Sequence, residues 1–198
     1  QLVATSRMNT SGKVYRIGML WPASPEFHLL QALLDEFRHG LREHGYTDGQ
    51  NIALEHRYAR GKMDLFPELA AELVRSRVDV IVVANPTAAL AAKQATLTIP
   101  IVFAAGPPDP VASGLVASLA RPGGNITGLS LFAGPEIVGK HLQLLKESVP
   151  KVSRLAVLWN PANAGHPPLL KEIEVAARSL GLQLQVLEAM GPDEFDSA

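Results

Sequence analysis

Short apolar segments alternate with longer amphipathic segments through most of this chain. Residues 14–21, 78–84, 99–105 and 152–159 are apolar runs of strand length, rich in branched side chains. After the first run, residues 26–44 carry leucines at the three- and four-residue spacing of an amphipathic helix. Strands that alternate with helices of this length predict an α/β fold with doubly wound parallel sheets.

The other predicted elements extend this alternation. Residues 51–58 alternate polar and apolar side chains, which predicts a strand near the edge of a sheet. Further helices are predicted at residues 63–77, 88–95, 135–148 and 166–180, and a further strand at 182–188. In the first helix we expect one apolar face to pack on the sheet, made of Leu29, Leu30, Leu33, Leu34, Phe37 and Leu41.

The loops that follow parallel strands meet at one edge of the sheet, and open α/β folds bind ligands at that edge. In the first such loop, the indole of Trp21 can stack on a ligand, and the hydroxyl of Ser24 can donate a hydrogen bond to it. The alternative is structural, with Trp21 in the core and Ser24 as the N-cap of the next helix.

The loop after residues 78–84 leads into an alanine-rich helix through Asn85, Thr87 and Ala88. A helix start carries backbone N–H groups and the positive end of the helix dipole, which favour a carboxylate. We therefore expect these three residues to bind an anionic ligand group, with the Thr87 hydroxyl as an added donor. A helix cap made by Asn85 or Thr87 is the alternative, and the two roles are compatible.

Asp109 lies between prolines where the strand at residues 99–105 ends. A carboxylate in that place is suited to accept hydrogen bonds from a ligand ammonium or hydroxyl. The alternative is that Asp109 caps a helix whose first residue is Pro110.

Two asparagines in the second half of the chain, Asn160 and Asn163, follow the strand at residues 152–159. Their amides supply both a donor and an acceptor without charge, which suits a polar, amino-acid-like ligand. A plain Asx turn is the alternative. Ser130, at the first crossover between the halves, is the remaining predicted ligand contact, in a segment where a hinge would bend.

The composition and motifs argue against several classes of function. A net charge of −1 gives no basic footprint for nucleic acid. The chain has no cysteine, and none of its six histidines has the spacing of a metal site, so we expect no metal. His166 is interpreted as a solvated loop residue. The sequence has no nucleophile elbow, Walker loop or dinucleotide-binding glycine motif, so we expect no catalytic residues and no cofactor.

Hydropathy predicts, at most, a peripheral association with a membrane. No apolar run reaches the length that a membrane-spanning helix needs. Residues 1–12 are polar and are expected to be a flexible lead-in, with no signal peptide visible.

A long ordered pattern covers residues 98–129, which read TIPIVFAAGPPDPVASGLVASLARPGGNITGL. It contains a buried strand, a stiff proline loop with Asp109, a run of small residues and a tight turn before the next strand. This order resembles the substrate-binding proteins of a bacterial ABC-transporter family, the one that includes the tryptophan-binding lipoproteins. The doubled proline at residues 107–108 departs from the shorter loop of that family and leaves the reach of Asp109 open.

The resemblance implies a type I periplasmic-binding-protein-like fold, in which two Rossmann-like lobes close on a ligand. We expect the first ligand-binding lobe at residues 13–128 and a partial, truncated second lobe at residues 129–198. An incomplete lobe would leave strand edges and apolar faces uncovered, which favours a dimer.

The resemblance also implies the extracytoplasmic substrate-binding component of an ABC transporter, located in the periplasm or outside the cell. It would capture a small ligand, with an aromatic amino acid favoured, and deliver it to a permease. In this hypothesis Trp21 contacts the ligand side chain, Thr87 its carboxylate and Asp109 its ammonium group. The alternatives are a ligand-sensing or enzymatic domain on a similar sheet, and a chain that binds no small molecule.

Overall fold

The structure, a computed structural model, describes residues 12–107, 109–130 and 136–195. Within these ranges the strands are β1 (Tyr15–Trp21), β2 (Ile52–Tyr58), β3 (Val80–Val83), β4 (Ile101–Gly106), β5 (Ile126–Ser130), β6 (Arg154–Trp159) and β7 (Gln183–Glu188). The helices are α1 (His28–Glu43), α2 (Phe66–Arg75), α3 (Pro86–Ala95), α4 (Glu136–Ser148) and α5 (His166–Ser179). The predicted alternation of strands and helices is confirmed. The lead-in expected at residues 1–12 lies, except for its last residue, outside the described residues.

The first sheet has the strand order β2-β1-β3-β4-β5, and each neighbouring pair is parallel. From β1 the chain adds β2 on one side of β1, and it then crosses to the other side of β1, where β3, β4 and β5 follow in order. The strand order therefore reverses at β1. Right-handed crossovers then place α1 on one face of the sheet and α2 and α3 on the other. The carboxyl ends of all five strands lie along one edge, and β2 is at the side of the sheet, as predicted.

Two buried clusters hold the helices to the two faces of this sheet. On one face, Met19 and Trp21 of β1 pack with Leu30 and Leu34 of α1. On the other face, Leu20 of β1 belongs to a cluster with the buried side chains of α2 and α3. Successive side chains of a strand point to opposite faces, so one short strand contributes to both cores.

Helix α1 buries a narrower face than its sequence predicts. Leu30 and Leu34 are buried, but Leu29 and Leu33 are 60% and 54% exposed. A helix that lies on a sheet buries one stripe, and the neighbouring positions point sideways to solvent. The prediction that Leu29 and Leu33 pack on the sheet is therefore wrong. The helix also begins at His28 rather than near residue 26.

A second, two-stranded sheet is formed by β6 and β7, which pair in parallel. Helices α4 and α5 pack against it around the buried side chains of Leu142, Ala177 and Leu182. We call residues 12–130 the first lobe and residues 136–195 the second lobe. Strand β5 ends at Ser130, so the predicted domain boundary after residue 128 falls inside a strand of the first lobe.

Candidate ligand-binding site

The loops after β3 and β6 meet between the two lobes. The Thr87 hydroxyl group donates to the carbonyl of Ala162 at 3.1 Å, and its oxygen accepts from the backbone N–H of Ala164 at 3.0 Å. Thr87 belongs to the first lobe and both alanines to the second. The carboxyl edges of the two sheets therefore face each other, as a ligand site between lobes requires.

Trp21 is placed in the core rather than in a ligand cavity. Its side chain is only 6% exposed, and its Nε1–H donates to Nδ1 of His56 at 3.2 Å. The ring of His56 stacks on Tyr58 with 5.8 Å between ring centroids. Burial lowers the pKa of His56, and the positive charge of Arg38 lowers it further. The structural alternative for Trp21 thus describes its surroundings, and its stacking on a ligand stays a prediction.

Ser24 does not cap α1, because the N-cap of that helix is Phe27. The carbonyl of Ser24 accepts a hydrogen bond from the N–H of Phe27 at 3.2 Å. The pKa of the Glu26 carboxyl is lowered by its own backbone N–H and then by the Ser24 hydroxyl, with a smaller contribution from Arg60. Ser24 is half-buried near the candidate site, and its hydroxyl is directed to a neighbouring carboxylate.

Asn85 is the N-cap of α3. Its side-chain oxygen accepts from the N–H groups of Thr87 at 2.8 Å and Ala88 at 3.2 Å, and its carbonyl accepts from Ala89. Pro86 has no N–H group, so the amides of the first helical turn are engaged within the helix itself. Asn85 and Ala88 are both buried. The cap alternative is therefore present, and the predicted binding of an anionic ligand group at this helix start stays a prediction.

Asp109 also bonds to its own loop. One carboxylate oxygen accepts from the N–H groups of Val111 at 2.9 Å and Ala112 at 2.8 Å. Residues 110–114 form turns rather than a helix, so the helix expected from Pro110 is wrong although the cap geometry is present. The Asp109 side chain is exposed and can still present its second oxygen to solvent or ligand.

Ser130 ends β5, where it pairs with Gly106 after an irregular register between β4 and β5. Two positions earlier, Gly128 has a φ of +152°. A Cβ at Gly128 would lie 2.1 Å from the carbonyl oxygen of Phe103, so no residue with a side chain fits at this position without moving the backbone. The β4–β5 pairing that positions Ser130 at the edge of the sheet therefore depends on glycine at this position.

The two predicted asparagines of the second lobe organise the loop after β6. Asn160 accepts from the N–H of Ala162 at 2.8 Å and donates to the carbonyl of Met190 at 2.9 Å. Asn163 accepts from the N–H of Gly165 at 3.0 Å, and its amide nitrogen lies 3.0 Å from Nε2 of His166. The Asx-turn alternative describes both asparagines. His166 is half-buried at the start of α5, so its interpretation as a solvated loop residue is wrong.

A groove of about 430 Å³ lies between the lobes at the ends of β2 and β7. Arg60, Lys62 and Met63 line it from the first lobe, and Met190 and Asp193 from the second. An adjoining cavity of about 310 Å³ shares Met63 and Met190 with this groove. Its remaining walls include Leu158, Trp159, Asn160, His166 and Phe195. The two spaces combine apolar walls with charges of both signs.

Most of these groove residues are absent from the sequence prediction. That prediction considered the loops after β1, β3, β4 and β6 but omitted the loops after β2 and β7. The same rule for parallel strands applies to those two loops, since both end at the same edges. At Arg60 the structure adds a feature that sequence reasoning cannot see, a φ of +52° next to Gly61, which is an uncommon backbone conformation for arginine.

Among the residues that the structure describes, no three histidine, cysteine, aspartate or glutamate side chains are grouped so that they could hold a metal ion. None of the helices within the described ranges is both long and apolar enough to span a membrane.

Two α/β lobes that face each other through the carboxyl ends of parallel strands define the class of type I periplasmic binding proteins. The sequence profile of the family described as ABC transporter substrate binding protein matches residues 27–198. The chain belongs to this family. The resemblance stated from residues 98–129 is thereby confirmed.

Similar proteins include a tyrosine-binding protein of Clostridioides difficile (strain R20291), 36% identical over 124 residues. That match covers 63% of this chain and 35% of the relative. The solved ABC domain of Streptococcus pneumoniae in complex with L-Trp is 25% identical, with a TM-score of 0.79, over 93% of this chain and 60% of that one. A ligand-free, open substrate-binding protein with adhesive properties from Clostridium difficile is 29% identical, with a TM-score of 0.59, over the same shares. The chain thus spans 60% or less of the length of each of these relatives.

Proposed function

We propose that this chain carries the ligand-binding lobes of the extracytoplasmic substrate-binding component of an ABC transporter. The single observation that carries the proposal is the family match, which extends over both lobes. The facing carboxyl edges and the groove between them supply the space that a small ligand needs. The partner in this proposal is the permease of the transporter, and the location is the periplasm or the outer surface of the cell.

The proposed ligand is an amino acid, with an aromatic side chain favoured. The names of two similar proteins refer to tyrosine and L-Trp. The groove has the matching chemistry, because Met63 and Met190 offer polarisable apolar surface for a ring. Arg60 in the first lobe and Asp193 in the second can oppose the carboxylate and the ammonium group of a zwitterion.

Binding rather than catalysis is the proposed activity. The sequence has no recognisable catalytic motif, and the asparagines and Asp109 at the strand ends are engaged in turns and caps. The ligand would stabilise a closed arrangement of the lobes through contacts to both of them. The TM-score is higher with the L-Trp complex, 0.79, than with the open, ligand-free structure, 0.59, although the sequence identity to the L-Trp complex is lower. This difference supports a closed arrangement of the lobes in this chain.

Dimerisation through the second lobe stays a prediction.

Isothermal titration calorimetry on the full-length protein tests the proposed function. We expect saturable one-to-one binding of L-Tyr or L-Trp and weaker binding of amino acids with small side chains. Asp193→Asn should weaken binding, whereas the matched control Asp35→Asn on the exposed side of α1 should not. Absence of heat with every amino acid, for a protein that unfolds cooperatively, would overturn the proposal.

A further inference from the structure

The hydroxyl group of Thr87 makes two hydrogen bonds across the contact between the lobes. The hydroxyl hydrogen is directed to the carbonyl of Ala162, and the oxygen accepts from the N–H of Ala164. A hydroxyl has one hydrogen to donate, so this donor is already committed to the second lobe. The sequence predicts that this hydroxyl binds a ligand carboxylate. In the structure it binds the backbone of the second lobe instead.

Each side of the contact is held in place by an asparagine. In the first lobe, Asn85 fixes the backbone at Thr87 through the 2.8 Å bond to its N–H. In the second lobe, Asn160 holds the N–H of Ala162 and Asn163 holds the N–H of Gly165. The two loops therefore meet with their shapes already set, and little ordering is required when they join.

Steric fit at the same place depends on Gly165. A Cβ added at Gly165 would lie 3.0 Å from Cγ of Pro86, across the boundary between the lobes. A contact this close requires a shift of a few tenths of an ångström by the proline ring or by the loops, so a side chain at position 165 disfavours the close approach of the lobes. The hydrogen bonds of Thr87 need the close approach that Gly165 permits.

We propose that Thr87 is a positioning residue that latches the two lobes in their closed arrangement and sets ligand affinity without contacting the ligand. A ligand held between lobes binds the closed form, so its apparent affinity is reduced when less of the free protein is closed. The part of this inference that concerns affinity rests on the proposed function, whereas the latch itself does not.

Distance measurements between spin labels in the full-length, ligand-free protein test the latch. Labels at Glu36→Cys on α1 and Lys171→Cys on α5 report on the two lobes from exposed positions, and residues 1–198 contain no competing cysteine. Thr87→Val removes both hydrogen bonds and keeps the side-chain shape, while Thr87→Ser keeps the hydroxyl. Thr98→Val is the matched control, because Thr98 precedes β4 at the opposite edge of the sheet.

We expect Thr87→Val to shift the label distances of the ligand-free protein to longer values and to weaken ligand binding by roughly tenfold, the size expected for two hydrogen bonds. Thr87→Ser and Thr98→Val should match the wild type. Gly165→Ala, tested separately, should open the lobes with the Thr87 hydroxyl still present. Thermal unfolding of each variant checks that it is folded.

The possible outcomes separate the two proposals. Label distances that do not change in Thr87→Val and Gly165→Ala overturn the latch, and weaker binding without a change in distance assigns Thr87 to the ligand instead. If no amino acid binds the wild type, the proposed function fails, and the ligand-free distances still decide whether the latch exists.

Discussion

The indole Nε1–H of Trp21 donates a hydrogen bond to Nδ1 of His56 at 3.2 Å. This bond links the last residue of β1 to the edge strand β2, beside the loop that lines the groove. Nδ1 can accept it only while it carries no proton, so the contact requires neutral His56 in its Nε2-protonated tautomer. The chain thus couples the packing of a core tryptophan to the protonation of a half-buried histidine.

The stability of the protein should fall on mild acidification because of His56. Burial and Arg38 lower the pKa of His56 below its ordinary value of 6.5, against a smaller opposing effect of Asp48. The unfolded chain therefore binds this proton more readily than the folded one between the two pKa values. Stability is full above the unfolded pKa and decreases as the pH falls from it to the folded pKa.

Thermal unfolding midpoints of wild type and His56→Gln over this pH range measure the effect. The decrease from neutral to mildly acidic pH should be smaller in His56→Gln, and the exposed His28→Gln should keep the wild-type slope. Equal slopes in wild type and His56→Gln would show that His56 does not control this dependence.

The second prediction concerns Asp109, whose hydrogen bonds to its own loop and whose negative charge can be removed by different substitutions. Asp109→Ala removes the acceptor for the N–H groups of Val111 and Ala112 and should lower the free energy of unfolding by about 1 kcal/mol. Asp109→Asn keeps an acceptor oxygen and should be close to wild type in both stability and ligand affinity. Chemical denaturation and calorimetry measure the two properties, and a loss of affinity in Asp109→Asn would support the predicted contact with a ligand ammonium.

Two glycines should respond to alanine in opposite directions. Gly128→Ala places a Cβ on the backbone of Phe103 and should cost more than about 2 kcal/mol of the free energy of unfolding. Gly40→Ala, in α1 with open space around it, should stabilise the protein by about 0.5–1 kcal/mol through helix propensity. Urea denaturation measures both, and a Gly128→Ala variant as stable as wild type would contradict the close approach of β4 and β5.

The sequence predicts the fold well because the strands are short apolar runs and the helices keep a clear period. It predicts the edge where a ligand would bind, since that follows from parallel topology alone. It does not predict which side chains remain available there. Trp21 pairs with His56 of another strand, and such a pairing depends on tertiary structure. The bonds of Asn85 and Asn163 are a local helix cap and a local Asx turn, which the sequence offers as alternatives to ligand contact without choosing between them. Leu29 shows the same limit in α1, where the width of the buried stripe is set by packing.

The two tryptophans should report ligand binding unequally. Trp159 lines the cavity next to the groove, and its buried Nε1–H has no hydrogen-bond partner among the described residues. Trp21 is buried with its Nε1–H already paired. A ligand that enters the groove should therefore change the environment of Trp159 and leave that of Trp21 nearly constant.

Fluorescence titration of the full-length protein with L-Tyr, excited in the tryptophan band, measures this difference. Trp159→Phe should abolish most of the ligand-induced change in emission, whereas Trp21→Phe should retain it. Both variants must bind by calorimetry, so that a lost signal is not a lost site. A signal that disappears only in Trp21→Phe would place the ligand near the end of β1, where the indole was first expected to meet it.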